Sequence, residues 1–346
     1  MHMADALLSP AVGTTMWAAT GGLIAYSAKK VRQELDERKI PLMGVLGAFI
    51  FASQMINFSI PATGSSGHLG GGMILAILLG PYAGFLVMAS VLIVQALFFA
   101  DGGLLALGCN IFNLAFFPCF VAYPLIYRKI VGNKPSQGKI LAGSLIAAII
   151  GLQLGAFGVV LETVFSGISE LPFGAFVLLM QPIHLAIGIV EGLVTAAVVT
   201  FVWKARPEIL EAAGRSLPIG EVEIKKVLLG LAAAALIAGA ALSWFASSNP
   251  DGLEWAMFKT SGKEELQTDE SLHASLAVIQ EKTSFLPDYG FKKAKPVTEA
   301  KHADEETAPW PAVDPGTSVS GLIGGGLTLL MAALTGLGLK RRQGTA

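Results

Sequence analysis

Charge is what this 346-residue chain has least of: only 14% of its residues are Asp, Glu, Lys or Arg, against about 25% in ordinary soluble domains. So thin a supply argues against an ordinary soluble enzyme of one or two domains. Cysteine is almost missing. Cys109 and Cys119 sit in or beside one apolar run, and their spacing matches no zinc or redox motif. They read as small buried apolar side chains. No G-x-x-x-x-G-K-[ST] phosphate loop, H-E-x-x-H or G-x-S-x-G occurs. The chain therefore offers no catalytic site, and any nucleotide hydrolysis must come from another subunit. Basic stripes are absent too, which excludes nucleic acid as a partner.

What remains is apolar: 53% of residues are hydrophobic and the mean hydropathy is +0.63. A bilayer core about 30 Å thick asks for about 20 apolar residues per helix. Runs 12–28, 41–57, 139–162, 173–203, 227–245 and 319–339 meet that demand. Residues 70–127 hold a single charge, Asp101, and are too long for one crossing.

The few basic residues give the topology. Lys29, Lys30, Arg32, Arg38 and Lys39 form one cluster, and Arg128, Lys129, Lys134 and Lys139 a second. Lys204, Arg206, Arg215, Lys225 and Lys226 form a third, and Lys340, Arg341 and Arg342 close the chain. Such loops favour the cytoplasm. Joining the first two clusters then needs an odd number of crossings through 70–127, hence three, near 71–88, 89–99 and 108–127. The expected fold is an all-α polytopic membrane protein of nine helices, with the N-terminus outside and the C-terminus cytoplasmic.

Its parts are a seven-helix core at 1–204, a cytoplasmic linker at 205–226, and a two-helix unit at 227–346. That last unit carries an extracytoplasmic loop, 247–318, with 7 basic and 13 acidic residues; residues 1–246 carry 14 and 12. The loop should form one short helix, 266–280, and be flexible over 292–315. Residues 1–10 lack the basic region of a secretory leader. No internal repeat supports the inverted-repeat plan of many carriers.

Five histidines remain to be explained. His273 and His302 fall in the acidic loop, where an exposed polar residue is ordinary. His2 and His68 fall on the outer side. His68 lies in Pro61-Ala-Thr-Gly-Ser-Ser-Gly-His68-Leu-Gly-Gly-Gly72, whose glycines let another segment approach closely. The Met1 amine, the deprotonated His2 amide nitrogen and the His2 Nδ1 can form two fused chelate rings around one ion. A ring nitrogen of His68 could close a four-nitrogen plane, a geometry suited to Ni(II) or Cu(II), with Co(II) the nearest competitor. An inert, mobile terminus is the alternative.

His184 and Glu191 stand two turns apart on one helical face. They fit either a coupling or metal-entry role or an interhelical hydrogen bond. Gln54 and Asn57 precede the His68 loop and could support a site there. Asp5 could accept backbone N–H bonds or orient His2.

Met1-His2-Met-Ala-Asp5-Ala-Leu-Leu-Ser-Pro10, Phe51-Ala-Ser-Gln-Met-Ile-Asn-Phe58 and Ser65-Ser-Gly-His68-Leu-Gly-Gly71 resemble the substrate-binding membrane subunit of nickel and cobalt energy-coupling-factor transporters. Pro250-Asp-Gly-Leu-Glu254 is similar to the small auxiliary subunit of such systems, here fused. The resemblance implies a seven-helix core with the N-terminal strand inserted into it. It also implies Ni(II) or Co(II) as transported substrate, held by the Met1 amine, the His2 amide and ring, and the His68 ring. It further implies a separate transmembrane coupling subunit, cytoplasmic ATPase subunits, and a prokaryotic plasma-membrane location. The start Met-His-Met-Ala-Asp-Ala leans toward nickel. The bulk of His2 favours retention of Met1. Two other classes stay open: a proton- or sodium-coupled carrier using Asp101, His184 and Glu191, and a noncatalytic assembly or sensor protein.

Overall fold

A computed structural model of the chain describes residues 2–34, 37–168, 171–215, 217–262, 271–292 and 310–340. Most of 292–315, expected to be flexible, and His302 lie outside the described residues. The first helix, α1, spans Pro10–Glu34 and α2 spans Lys39–Gln54. A short antiparallel hairpin follows, β1 Phe58–Ile60 and β2 Ser65–Gly67, with Ser59 opposite Ser66. Then come α3 Gly72–Leu79 and α4 Pro81–Phe99. A continuous run, α5 Leu107–Val131, precedes α6 Gln137–Ser166 and α7 Phe173–Ala205. Of these helices, α4 to α7, together with a later one at Pro315–Leu339, are long and apolar enough to cross a membrane. The protein is a multi-pass membrane protein.

The break in the 70–127 region differs from the expectation. It falls at Gly80-Pro81 rather than near 88–89. Gly80 takes φ +84, open to glycine and rarely to other residues, while Pro81 supplies no N–H and suits the first helical position. The helix before the break, α3, has eight residues, about 12 Å of length, too short to cross alone. It need not, because the preceding loop is itself buried: Ser65 and Ser66 are fully covered, as are Gly70 and Gly71.

Within α5 the stretch Phe112–Tyr127 is a wide π-helix containing Pro118 and Pro124. Each proline removes a backbone donor, and the broader turns accommodate the two interruptions. Cys109 and Cys119 are free and buried there, as their setting suggested.

Beyond α7, a short helix α8 (Pro207–Arg215) leads to α9 (Lys225–Ala240) and, after the outer segment, to α12 (Pro315–Leu339). Both α9 and α12 pack on α2. Gly44 and Gly47 face Leu329 and Thr328, and the backbones of Gly239 and Gly321 touch. Small residues permit this close approach, which is the usual basis of helix association in lipid.

Between α9 and α12 the described residues form two α-helices where one was expected. α11, Ser271–Thr283, corresponds to the expected 266–280 helix, with residues 263–270 outside those described. The additional α10, Gly252–Ser261, starts from a capping box in which Asp251 accepts from Leu253 and Glu254 while Glu254 returns to the Asp251 N–H. The Asp-Gly-Leu-Glu spacing carries that signal in plain view.

Candidate metal centre

The N-terminal segment runs into the bundle. Met3, Leu7 and Leu8 are buried, so their removal from water drives the insertion. Polar bonds then set its depth. The Met3 N–H donates to Asn110 Oδ1 at 2.8 Å, Asn110 Nδ2 donates to the Met3 carbonyl at 3.2 Å, and the Gly103 N–H donates to the same carbonyl at 2.9 Å. Asp5 Oδ1 accepts the Ala106 N–H at 2.9 Å. Of the two roles open to Asp5, the structure therefore shows the backbone-holding one.

This insertion brings His2 against His68. Their rings stack 5.0 Å apart with planes 13° from parallel. The His2 side chain is 7% exposed and its Nδ1 stands 3.1 Å from Asp101 Oδ1; its Nε2 is buried. His68 Nδ1 donates to the Leu69 carbonyl at 3.0 Å, a bond that fixes the tautomer and leaves the lone pair on Nε2. Burial pushes both rings down to about 3, so both are neutral near pH 7 and able to act as ligands. With metal–nitrogen bonds of about 2 Å, two imidazoles on adjacent positions of one ion stand about 4.5–5 Å apart, centre to centre. The observed 5.0 Å spacing is close to that figure, but each lone pair lies in its ring plane, so the stacked rings must reorient to share one ion.

Met1, the expected source of the amine, lies outside the described residues. Among the described residues no three His, Cys, Asp or Glu side chains converge on one ion position. A full ligand set therefore needs donors other than those side chains.

The residues expected to support the site are differently engaged. Gln54 Nε2 donates to the Gly70 carbonyl at 2.8 Å, and Gln54 Oε1 accepts from Gln95 Nε2 at 2.8 Å. Glu191 accepts the N–H groups of Gly70 and Gly71 at 2.7 and 3.1 Å. The Asn57 carbonyl accepts the Ser247 N–H at 2.8 Å. His184 is buried, and its Nδ1 donates to the Met180 carbonyl at 2.8 Å. That bond lies within α7 and not between helices; the interhelical glue in this region is Gln153, which donates to the Gln181 carbonyl at 2.8 Å.

Sequence reasoning did not anticipate how much the fused segment contributes. Pro250 accepts the Ser66 N–H at 2.8 Å, and Asn249 accepts the Ser66 hydroxyl at 2.8 Å, so 249–251 extends the hairpin two residues before His68. Tyr289 donates to Asp101 Oδ2, the carboxylate that holds His2. Gln280 Nε2 donates to the Ala96 and Gly102 carbonyls at 2.9 and 2.7 Å. His273, expected to be exposed, is 5% exposed, with Nε2 at 3.0 and 2.9 Å from the Asp5 and Leu8 carbonyls. Helix α11 turns it toward the N-terminal segment, and nothing local to its own sequence announces that contact. These pieces enclose a cavity of about 740 Å³ whose wall includes His2, His68, Asp101, Asp251 and Tyr289.

Comparison with known proteins gives the family. Residues 2–209 match the family described as the cobalt uptake substrate-specific transmembrane region, and residues 225–341 match the PDGLE domain. A Haloquadratum walsbyi protein with metal transport in its name is 37% identical, covering 61% of this chain and 93% of its own. An Archaeoglobus fulgidus protein whose name includes fused nickel transport protein NikMN is 39% identical, covering 61% of this chain and 68% of its own. The crystal structure of a truncated transition metal transporter aligns with a TM-score of 0.53 at 33% identity, over 59% of this chain and 99% of that one. The chain belongs to the cobalt-uptake substrate-specific transmembrane family, here fused to a PDGLE domain, and is a nickel or cobalt transport membrane protein.

Proposed function

We propose that this chain is the substrate-capture subunit of an ATP-driven energy-coupling-factor importer for Ni(II) or Co(II). The ion is held by the Met1 amine, the His2 amide nitrogen, the His2 ring and the His68 ring. The observation that carries this reading is the stacked pair of largely covered imidazoles, one of them on the second residue of the chain. Their spacing suits adjacent positions on one ion. The amine and amide of the Met1-His2 unit complete a plane through fused five- and six-membered chelate rings, an arrangement that favours nickel.

The chelate uses His2 Nδ1, which the structure engages with Asp101. Capture therefore hands that nitrogen from a carboxylate to the ion, and Asp101 stays beside the new charge. The carboxylates of the fused segment bias the entry cavity toward cations. The topology is nine crossings with the site at the outer face, in which the loop and α3 together count as one. A separate coupling subunit and cytoplasmic ATPases move the loaded subunit.

Residues assigned to the ion-coupled carrier reading have other occupations. Asp101 binds His2 and Tyr289, Glu191 binds a loop backbone, and His184 bonds within its own helix. Metal content of the intact chain purified with an untagged start tests the proposal. It predicts one nickel or cobalt per chain. A metal-free protein that still transports cations in vesicles lacking ATPase subunits would establish the carrier instead.

A further inference from the structure

The loop that carries His68 is held from inside the membrane by a charge-capable side chain. Glu191 lies in the middle of α7, is 1% exposed, and directs both carboxylate oxygens at consecutive backbone donors. Oε2 accepts the Gly70 N–H at 2.7 Å and Oε1 accepts the Gly71 N–H at 3.1 Å. The first of those donors is two residues from His68. A buried carboxyl group is costly unless hydrogen-bonded, and two converging backbone donors supply the compensation.

The surroundings leave little room for another arrangement. A side chain at Gly70 would place its Cβ 2.9 Å from Glu191 Oε2. Gly71 has φ +80, and a Cβ there would meet Ile50 at 2.8 Å. Gln54 grips the Gly70 carbonyl from the other side, and Gln95 holds Gln54. One peptide of the loop is thus fixed through its carbonyl by α2 and α4, while the adjoining N–H groups are fixed by α7. The Glu191 bonds end on the Gly70 and Gly71 N–H groups, so the effect of Glu191 on the His68 ring is one of placement.

We propose that Glu191 is the positioning residue of the metal site: by clamping Gly70 and Gly71 it holds the His68 ring where it can complete the nitrogen plane. This rests on the capture reading above. Nickel titration of the full chain with a native start, followed by calorimetry and the visible absorption of the bound ion, tests it. Glu191→Ala should weaken nickel binding by about 10–100-fold, the range for groups that orient metal ligands, and should shift the spectrum away from the planar form. Glu191→Gln keeps one carbonyl acceptor and should fall between that variant and the parent. Gly70→Ala, which pushes the carboxylate away, should repeat the effect with Glu191 intact.

Should Glu191→Ala fail to fold, the Glu191→Gln and Gly70→Ala variants decide. Folded variants with parental affinity and spectrum would overturn the positioning role, even if their melting temperatures fell. A parent chain that binds no nickel would instead overturn the capture reading.

Discussion

The core at 2–215 and the fused part at 225–340 are both helical, yet they treat polar groups differently. In the core, four polar side chains near the site hold backbone: Asp5 binds Ala106, Asn110 binds Met3, and Gln54 and Glu191 bind the His68 loop. In the fused part, α9 and α12 contribute a mainly apolar layer against α2, while Asp251, His273, Gln280 and Tyr289 line the cavity that holds His2 and His68. In the proposed site the core would present the nitrogen ligands and hold them in place. The fused segment adds closure and negative charge. Ligand identity and site enclosure are thus carried by separate stretches of chain, and substitutions should separate them.

Replacing His68 by alanine is expected to have the largest effect. Nickel affinity should fall by more than about 100-fold, above the range for residues that merely orient ligands, and the planar absorption should vanish. Equilibrium titration checks both.

On the fused side, Tyr289→Phe removes the donor to Asp101 and should weaken nickel binding several-fold at most, with an unchanged spectrum. Asp251→Asn keeps a competent helix cap while removing a charge. Nickel capture should slow at low ionic strength, and the difference should shrink in high salt. A changed spectrum in either variant would break the division between ligands and enclosure.

Acid should act on the core first. Burial lowers the folded-state pKa of His2 and His68 to about 3, below the unfolded value near 6.5. The unfolded chain therefore binds more protons between those values, and stability is lost as pH falls from about 6.5 toward 3. Melting of the metal-free protein in detergent should show a decline over that range, reduced in the His68→Ala variant. His273→Ala should be smaller still, costing about 1–3 kcal/mol through the unmet Asp5 and Leu8 carbonyls, seen as a lowered melting temperature with nickel affinity nearly kept. His302→Ala should change neither.

Much of this was legible in the chain. Apolar runs and basic loops expose helices because lipid leaves few alternatives. The misplaced break at 88–89 had a local marker, since Gly80-Pro81 is a strong turn dipeptide. His2 and His68 were readable because a second-position histidine has chelating chemistry of its own and a glycine-rich loop permits close approach. Asp101 looked like a lone membrane charge, and Tyr289 like one more aromatic in a polar segment. Their pairing spans 188 residues, and His273 meets Asp5 across 268. Contacts of that kind arise from packing of the fused segment on the core, which no local pattern encodes.

The central claim is that the chain's own amino terminus is a metal ligand. Nickel affinity of the native start, compared with a chain carrying one extra residue before Met1, tests it most directly. The added residue converts the amine into an amide and displaces the fused chelate rings while leaving both imidazoles in the sequence. A loss of affinity of at least the size seen for His68→Ala, with loss of the planar spectrum, is the predicted result. Equal affinity and an identical spectrum in the two proteins would contradict it.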